Sequence, residues 1–467
     1  MHLSPNILLI VADQFRGDCL ASSGHPVVMT PNLDELVANG VSFTRAYSTC
    51  PSCIPARRSL LTGLHPARHG LVSMSDGHPI TQPTFPDILR RSGYQTVMIG
   101  RKMHQYPASA RYGFEQVMLG STSETDDAFG NDLSQQTKGR GSIRSVGLSF
   151  NGWTARPWPF DEALHPTTWV TERSRSFLKE SDETCPLFLT ASYQAPHPPL
   201  FPPAFYYDRY VRMNLPPPAV GDWVHEPASL PVVDANRIDL KGEALRAAHA
   251  GYYGLINHLD DQLYWLIRDF KKLSSDRRRE WIIIFTSDHG EMLGDHHHFR
   301  KCEPYEGSAR IPLIFSASGG LGFQTGRHSK ALTCLEDLFP TLVDLAGLEL
   351  KDEVDGKSLL PVLLGQREKV RTLLHGEHGK QYSSEQAHHF LTDEKWKYIW
   401  RSMTGEEQLF DLENDPRETR NQSKACPTIL TRFREELIEL LKGRPEGFVH
   451  DGKLHPVQQS RAFLLGK

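Results

Sequence analysis

Two pairs of ligand-type residues, Asp13-Gln14 and Asp288-His289, follow closely on short apolar runs, residues 7–12 and 281–286. A run of that length bounded by turn residues is the pattern of a buried strand. Where two such strands run parallel in one sheet, their carboxyl ends share an edge, and the four side chains can converge on one divalent cation. Taken singly, either aspartate is equally well read as a cap for the turn or helix that follows it. Between the pairs in the chain stands Cys53-Ile54-Pro55-Ala56-Arg57, continuing as Arg58-Ser59-Leu60-Leu61-Thr62-Gly63. A lone cysteine beside a proline is ordinarily a small buried hydrophobe. As a thiolate nucleophile it needs a partnering histidine, and spacing alone names none.

The elements that must position these residues are legible from periodicity. Apolar runs at 95–99, 187–191 and 313–316 join those at 7–12 and 281–286 as expected parallel strands. Helical patterns lie between them: 32–39, after Thr30-Pro31 and closed by Gly40, and a long one at about 244–273. Alternating strands and helices predict an α/β sheet covered on both faces, with its chemistry at the carboxyl ends of the strands. The Gly/Ser-rich stretch 121–156 and the Pro-rich stretch 196–231 are expected to be excursions that build a substrate pocket rather than sheet elements. After a helix at 335–346, short strands at 395–400 and 407–412 and an amphipathic helix at 429–441 predict a smaller α+β domain. The expected division is 1–369 and 370–467.

Composition narrows the class. A net charge of -4 lacks the basic excess of a nucleic-acid binder. No apolar run approaches the roughly 18 to 20 residues of a membrane-spanning helix. The seven cysteines, Cys19, Cys50, Cys53, Cys185, Cys302, Cys334 and Cys426, are odd in number and scattered, so a disulfide framework is not expected. A strand-like run follows Met1 almost at once with no leader pattern, which predicts a cytoplasmic protein, or a periplasmic or secreted one if a leader has been removed.

The stretch from Cys53 to Gly63 resembles the sulfatase signature: Cys or Ser, any residue, Pro, Ser or Ala, Arg, then Thr-Gly, in which the cysteine is oxidised to formylglycine. The resemblance runs through nearly the whole chain. Residues 6–13 are similar to the family's opening strand, Gly100 to His104 to its Lys-x-His element, and Pro196-His197-Pro198 to its histidine loop. Lys301 with Pro304-Tyr305-Glu306-Gly307 is similar to its lysine segment, and Gly405 to Pro416 to its C-terminal subdomain. The resemblance implies an alkaline-phosphatase-like α/β fold with a large, mostly parallel sheet sandwiched by helices. It implies Asp13, Gln14, Asp288 and His289 as metal ligands, joined by modified Cys53. It further implies that Lys102, His104, His197 and Lys301 hold the sulfate and that Arg57 holds the formylglycine. Ca²⁺ is the first expectation for the cation, but Asp-Gln and Asp-His replace the commoner Asp-Asp and Asp-Asn, and imidazole shifts preference toward Mn²⁺ or another transition ion. Gly100-Arg101-Lys102-Met103-His104 carries one extra residue, so Lys102 is aligned by its spacing from His104.

The implied chemistry is hydrolysis of a sulfate monoester on a small molecule or saccharide, after maturation by a formylglycine-generating enzyme. A cation and lysines neutralise the sulfate oxygens so that a hydroxyl of the hydrated aldehyde can attack sulfur. His197 or Lys301 protonates the leaving alcohol and His104 serves as base. Trp153, Trp158, Tyr206 and Tyr207, in or beside the excursions, are candidates for stacking on a sugar, although aromatics in long loops more often serve as local packing anchors. His296, His297 and His298 are expected to be structural. Three alternatives stay open: a phosphonate or phosphate monoester hydrolase, a non-catalytic binder of sulfated glycans, and a cysteine hydrolase using unmodified Cys53. Oligomeric state is not legible.

Overall fold

The opening strand, Asn6–Asp13, is buried at every position, which is why it reads as an unbroken apolar run rather than an alternating one. It is central in an eight-stranded sheet of the computed structural model, which describes residues 4–120, 127–227 and 235–465. Across the sheet the order is Arg327–Ser329, Gly40–Phe43, Leu313–Ala317, Trp281–Ser287, Asn6–Asp13, Leu187–Pro196, Gln95–Gly100 and Gln116–Leu119. The last five in that order run parallel, starting with Trp281–Ser287. Leu313–Ala317, expected to be parallel, is antiparallel to both its neighbours. An apolar run reports burial on two faces and carries no direction, which the connection decides. Gly40–Phe43, Gln116–Leu119 and Arg327–Ser329 carry no sequence signal, because three or four residues are too few to show a period.

One face of the sheet packs on Pro166–Glu180 and the 35-residue helix Gly242–Asp276, the other on Cys53–Thr62, Phe85–Arg91 and Leu338–Leu345, giving a separate apolar core on each side. The two excursions are not wholly loops: Ala128–Gln136 and Ala204–Val211 are helices, and residues 121–126 and 228–234 lie outside the described residues. A four-stranded antiparallel sheet, Leu374–His378, His388–Thr392, Trp396–Arg401 and Glu407–Asp411, forms the smaller C-terminal domain with helix Pro427–Leu441 on it. All seven cysteines are free. No described helix is long and apolar enough to cross a membrane.

The second sheet grips the segment that follows Lys301. Lys397, fully buried, donates to Glu306 at 2.7 Å and Glu418 at 3.1 Å, and Arg401 pairs with Glu303 at 3.2 Å while donating to the Tyr305 hydroxyl at 2.7 Å. Removing one member of a buried ion set leaves its partners desolvated without a counter-charge. Lys397→Met is therefore expected to lower unfolding free energy by about 3–5 kcal/mol in a denaturant titration, and adding Glu306→Gln with Glu418→Gln should restore most of it.

Candidate active site

Four neighbouring parallel strands deliver their next residues to one edge. Ala12 stands opposite Ser287 on one side and Tyr193 on the other, so the strand ends are level. The register then slips, Asp13 pairing with Pro196, and the His197 N–H donates to the Asp13 carbonyl at 3.1 Å. Such a bulge re-aims a side chain at the end of a strand. Gln14 takes a positive φ of 67°, a conformation that costs a non-glycine residue about 1–3 kcal/mol. Its N–H donates to Asp288 Oδ1 at 3.1 Å and its carbonyl accepts from the Tyr252 hydroxyl at 2.7 Å, which hold it there.

Cys53 opens helix Cys53–Thr62 and is only 3% exposed. Its Sγ lies 3.1 Å from His289 Nε2, 3.8 Å from Asp13 Oδ1 and 3.8 Å from an Arg101 nitrogen. Arg57, one turn further along the same helix face, is fully buried. Its guanidinium donates to Asp288 Oδ2 at 2.8 Å, Asp13 Oδ2 at 2.9 Å and the Ser192 hydroxyl at 3.2 Å. One cation thereby ties two carboxylates from two strands through their Oδ2 atoms. Their Oδ1 atoms stand 3.7 and 3.8 Å from His289 Nε2. Asp13, Cys53, Asp288 and His289 each present a ligand atom within 4.8 Å of the others. Two carboxylates and an imidazole form a donor set that fits one divalent cation, and Gln14, next to Asp13 in the chain, offers an amide oxygen that also accepts from Lys301.

The charges around this cluster are arranged against the cost of burial. Burial pushes the Asp13 carboxyl up, but Arg101, His197, Arg57 and His289 together hold it well below the usual carboxylate range. Burial and Asp13 also push the Cys53 thiol up, and Lys301 and His289 outweigh them, leaving it lowered. Lys301 donates to Gln14 Oε1 at 2.7 Å and meets His197 Nε2 at 2.8 Å. An ammonium has nothing to accept with, so His197 accepts through Nε2 and carries its proton on Nδ1, 2.6 Å from the Pro198 carbonyl. Burial and Lys301 hold His197 well below the usual imidazole value, and burial with Arg101 and Arg57 does the same to His104. His104 Nε2 is buried with no hydrogen-bond partner among the described residues, while its Nδ1 is 3.8 Å from the exposed Asp76 carboxylate.

Lys102 reaches this centre through its backbone: its carbonyl accepts from Arg57 at 3.4 Å, and its half-buried side chain lies where its charge acts on His104. The side chain that meets the Asp13 carboxylate from this segment is that of Arg101, which also donates to Gln194 Oε1. Arg101 was missed, although its place as the first residue beyond strand Gln95–Gly100 was the signal. Gln194 and Glu291 were missed too, since neither type nor spacing sets them apart. Trp158 and Tyr206 are buried in local packing, Trp158 on Phe160, His165 and Phe201, and Tyr206 bonded to Asp261 at 2.9 Å. His296 packs against both Trp223 and Tyr305, which also stack on each other.

The chain matches the sulfatase family model over residues 5–348 and the C-terminal model of N-sulphoglucosamine sulphohydrolase over residues 294–443. It is 38% identical to the arylsulfatase of Clostridium perfringens over 97% of both chains, and 28% identical to the choline-sulfatase of Rhizobium meliloti over 92% of this chain and 86% of that one. Among solved structures it is similar to the phosphonate monoester hydrolase of Agrobacterium radiobacter, with 27% identity, a TM-score of 0.79, and 93% and 95% of the two chains covered. With sulfate release as the readout, Arg101→Ala is expected to lower kcat/KM about 10²–10³-fold, the scale of losing one preorganised donor, and more than Lys102→Ala does. The reverse ranking would make Lys102 the stronger of the two contacts with the reacting group. The match to the sulfatase model over residues 5–348 and the identity along the whole chain place this protein in the sulfatase family, as a sulfuric ester hydrolase with the alkaline-phosphatase-like fold.

Proposed function

We propose that the protein hydrolyses a sulfate monoester through Cys53 converted to formylglycine, with one divalent cation held by Asp13, Gln14, Asp288 and His289. The observation that carries this reading is the convergence of Cys53, Asp13, Asp288 and His289 within 4.8 Å around the buried Arg57 bridge. A cation bound there supplies positive charge that offsets the sulfate oxygens and acidifies a hydroxyl at position 53. Ca²⁺ suits the oxygen donors, and His289 makes Mn²⁺ the alternative. In the same reading residues 1–369 form the catalytic domain and 370–467 the smaller one.

A formylglycine-generating enzyme oxidises the Cys53 Cβ by two electrons with an external oxidant, the carbon–sulfur bond breaking and the sulfur leaving as sulfide, and water adds to the resulting aldehyde to give two hydroxyls. One attacks sulfur, and the alcohol leaves with a proton. Lys301 is the donor: His197 Nε2 accepts from it, which makes His197 the residue that orients the ammonium. Arg101 and Lys102 hold the sulfate oxygens, with Arg57 placing the formylglycine. His104, whose Nε2 is buried with no hydrogen-bond partner among the described residues, takes the proton from the second hydroxyl. The carbonyl re-forms, the carbon–oxygen bond to sulfate breaks, and sulfate departs with that oxygen. The ester group belongs to a sulfated small molecule or saccharide. A phosphonate monoester is the second reading, favoured by the 27% identical hydrolase of that class. The 3.1 Å Cys53–His289 pair favours, in turn, a bare thiolate nucleophile.

Peptide mass spectrometry across Cys53, on protein co-expressed with the maturing enzyme, is expected to find an aldehyde in place of the thiol. Cys53→Ala should abolish turnover with the fold retained. An unmodified cysteine in active protein returns the thiolate reading. Phenyl sulfate should turn over faster than phenyl phosphonate, and the opposite order moves the chain to phosphonate chemistry. Asp13→Asn and Asp288→Asn should each lower bound metal in elemental analysis, whereas unchanged stoichiometry in both removes the cation from this site.

A further inference from the structure

Glu291 has no part in the roles assigned so far, yet it is 4% exposed and its carboxylate reaches the Gln14 side chain. One of its oxygens, Oε2, accepts from Gln14 Nε2; the other, Oε1, accepts the N–H of Leu293 at 2.9 Å and the N–H of Arg300. The turn that carries it is held from outside. Arg16 donates to the Glu291 carbonyl at 2.9 Å, and the Gly290 N–H donates to the Ser308 carbonyl at 2.8 Å. A Cβ on Gly290 would stand 2.1 Å from the Gly307 carbonyl oxygen, so the turn is seated directly against the neighbouring segment.

An amide has two nearly isosteric ends, and only its neighbours decide which way it faces. A carboxylate can only accept and an ammonium can only donate. With Glu291 on one side of the Gln14 amide and Lys301 on the other, the single orientation that satisfies both puts Nε2 on Glu291 and Oε1 on Lys301. We infer that Glu291 is a positioning residue for the cation: it fixes Gln14 as an oxygen donor and raises the electron density on that oxygen. The inference rests on the metal-binding reading of Asp13, Gln14, Asp288 and His289. Partners that orient a ligand in this way typically change metal affinity 10–100-fold when removed.

Glu291→Gln keeps the shape and allows the Gln14 amide to turn over. In calorimetric titration of chelator-stripped protein with Mn²⁺ and with Ca²⁺, it is expected to raise Kd about 10–100-fold, at an unchanged unfolding midpoint of the stripped protein. Glu291→Asp, which keeps the charge and withdraws it, should give a smaller loss and serves if the glutamine variant folds poorly. In a Gln14→Ala background, Glu291→Gln should add no further loss, since its effect passes through the amide. Wild-type Kd in both Glu291 variants, or an equal loss with and without Gln14, overturns the inference. Wild-type protein that binds neither ion would overturn the metal-binding reading itself, and this inference with it.

Discussion

The bridge from Arg57 to Asp13 and Asp288 is the constraint on which the centre depends. Two carboxylates brought together at 0% exposure repel each other and lose their hydration. A planar guanidinium is a cation whose several donors can be shared between two carboxylates in fixed directions, with its charge always present. Arg57 bonds one oxygen of each and leaves the other oxygen of each turned toward His289 and Cys53. Because Arg57 lies one turn beyond Cys53, the bridge also places the cysteine. The helix that opens with Cys53 is thus joined to two strands of the sheet by charge as well as by packing.

A second layer of buried charge surrounds the first. Lys301 spans Gln14 and His197, Arg101 spans Asp13 and Gln194, and Glu291 closes the far side of Gln14. The segment after Lys301 is in turn gripped from the C-terminal sheet by Arg401 on Glu303 and Lys397 on Glu306. Arg57, Arg101 and Lys301 bring positive charge to the edge where Asp13 and Asp288 lie, which suits a substrate that arrives with negative charge. The smaller domain therefore contributes to the centre by holding a lysine in place.

Much of this was legible beforehand. The apolar runs marked five of the eight strands of the large sheet, because strands buried on both faces show unbroken hydrophobicity. The same property hid their direction, and Leu313–Ala317 turned out antiparallel. Short strands such as Gly40–Phe43 left no period to read. Helices Ala128–Gln136 and Ala204–Val211 were lost within polar and proline-rich stretches whose overall composition masks a local turn of helix. Of the residues expected to ligate a cation, Asp13, Cys53, Asp288 and His289 do come together. Trp158 and Tyr206 were drawn into the interior, since a large aromatic ring gains more from burial than from waiting at a pocket mouth.

By itself, the sequence determined which residue types stand after which strands: an acid and a second residue of ligand type twice over, and a cysteine four residues before an arginine. Those relations are local and survive as spacing. Only the tertiary structure decided which partners those groups have. That Arg57 reaches two strands, that Arg101 rather than Lys102 meets the Asp13 carboxylate, and that Glu291 faces the Gln14 amide are contacts between residues 40 or more positions apart, apart from the choice between neighbours at 101 and 102. The register of parallel strands and the bulge at Asp13 set those contacts, and neither register nor bulge is written in the type of any one residue.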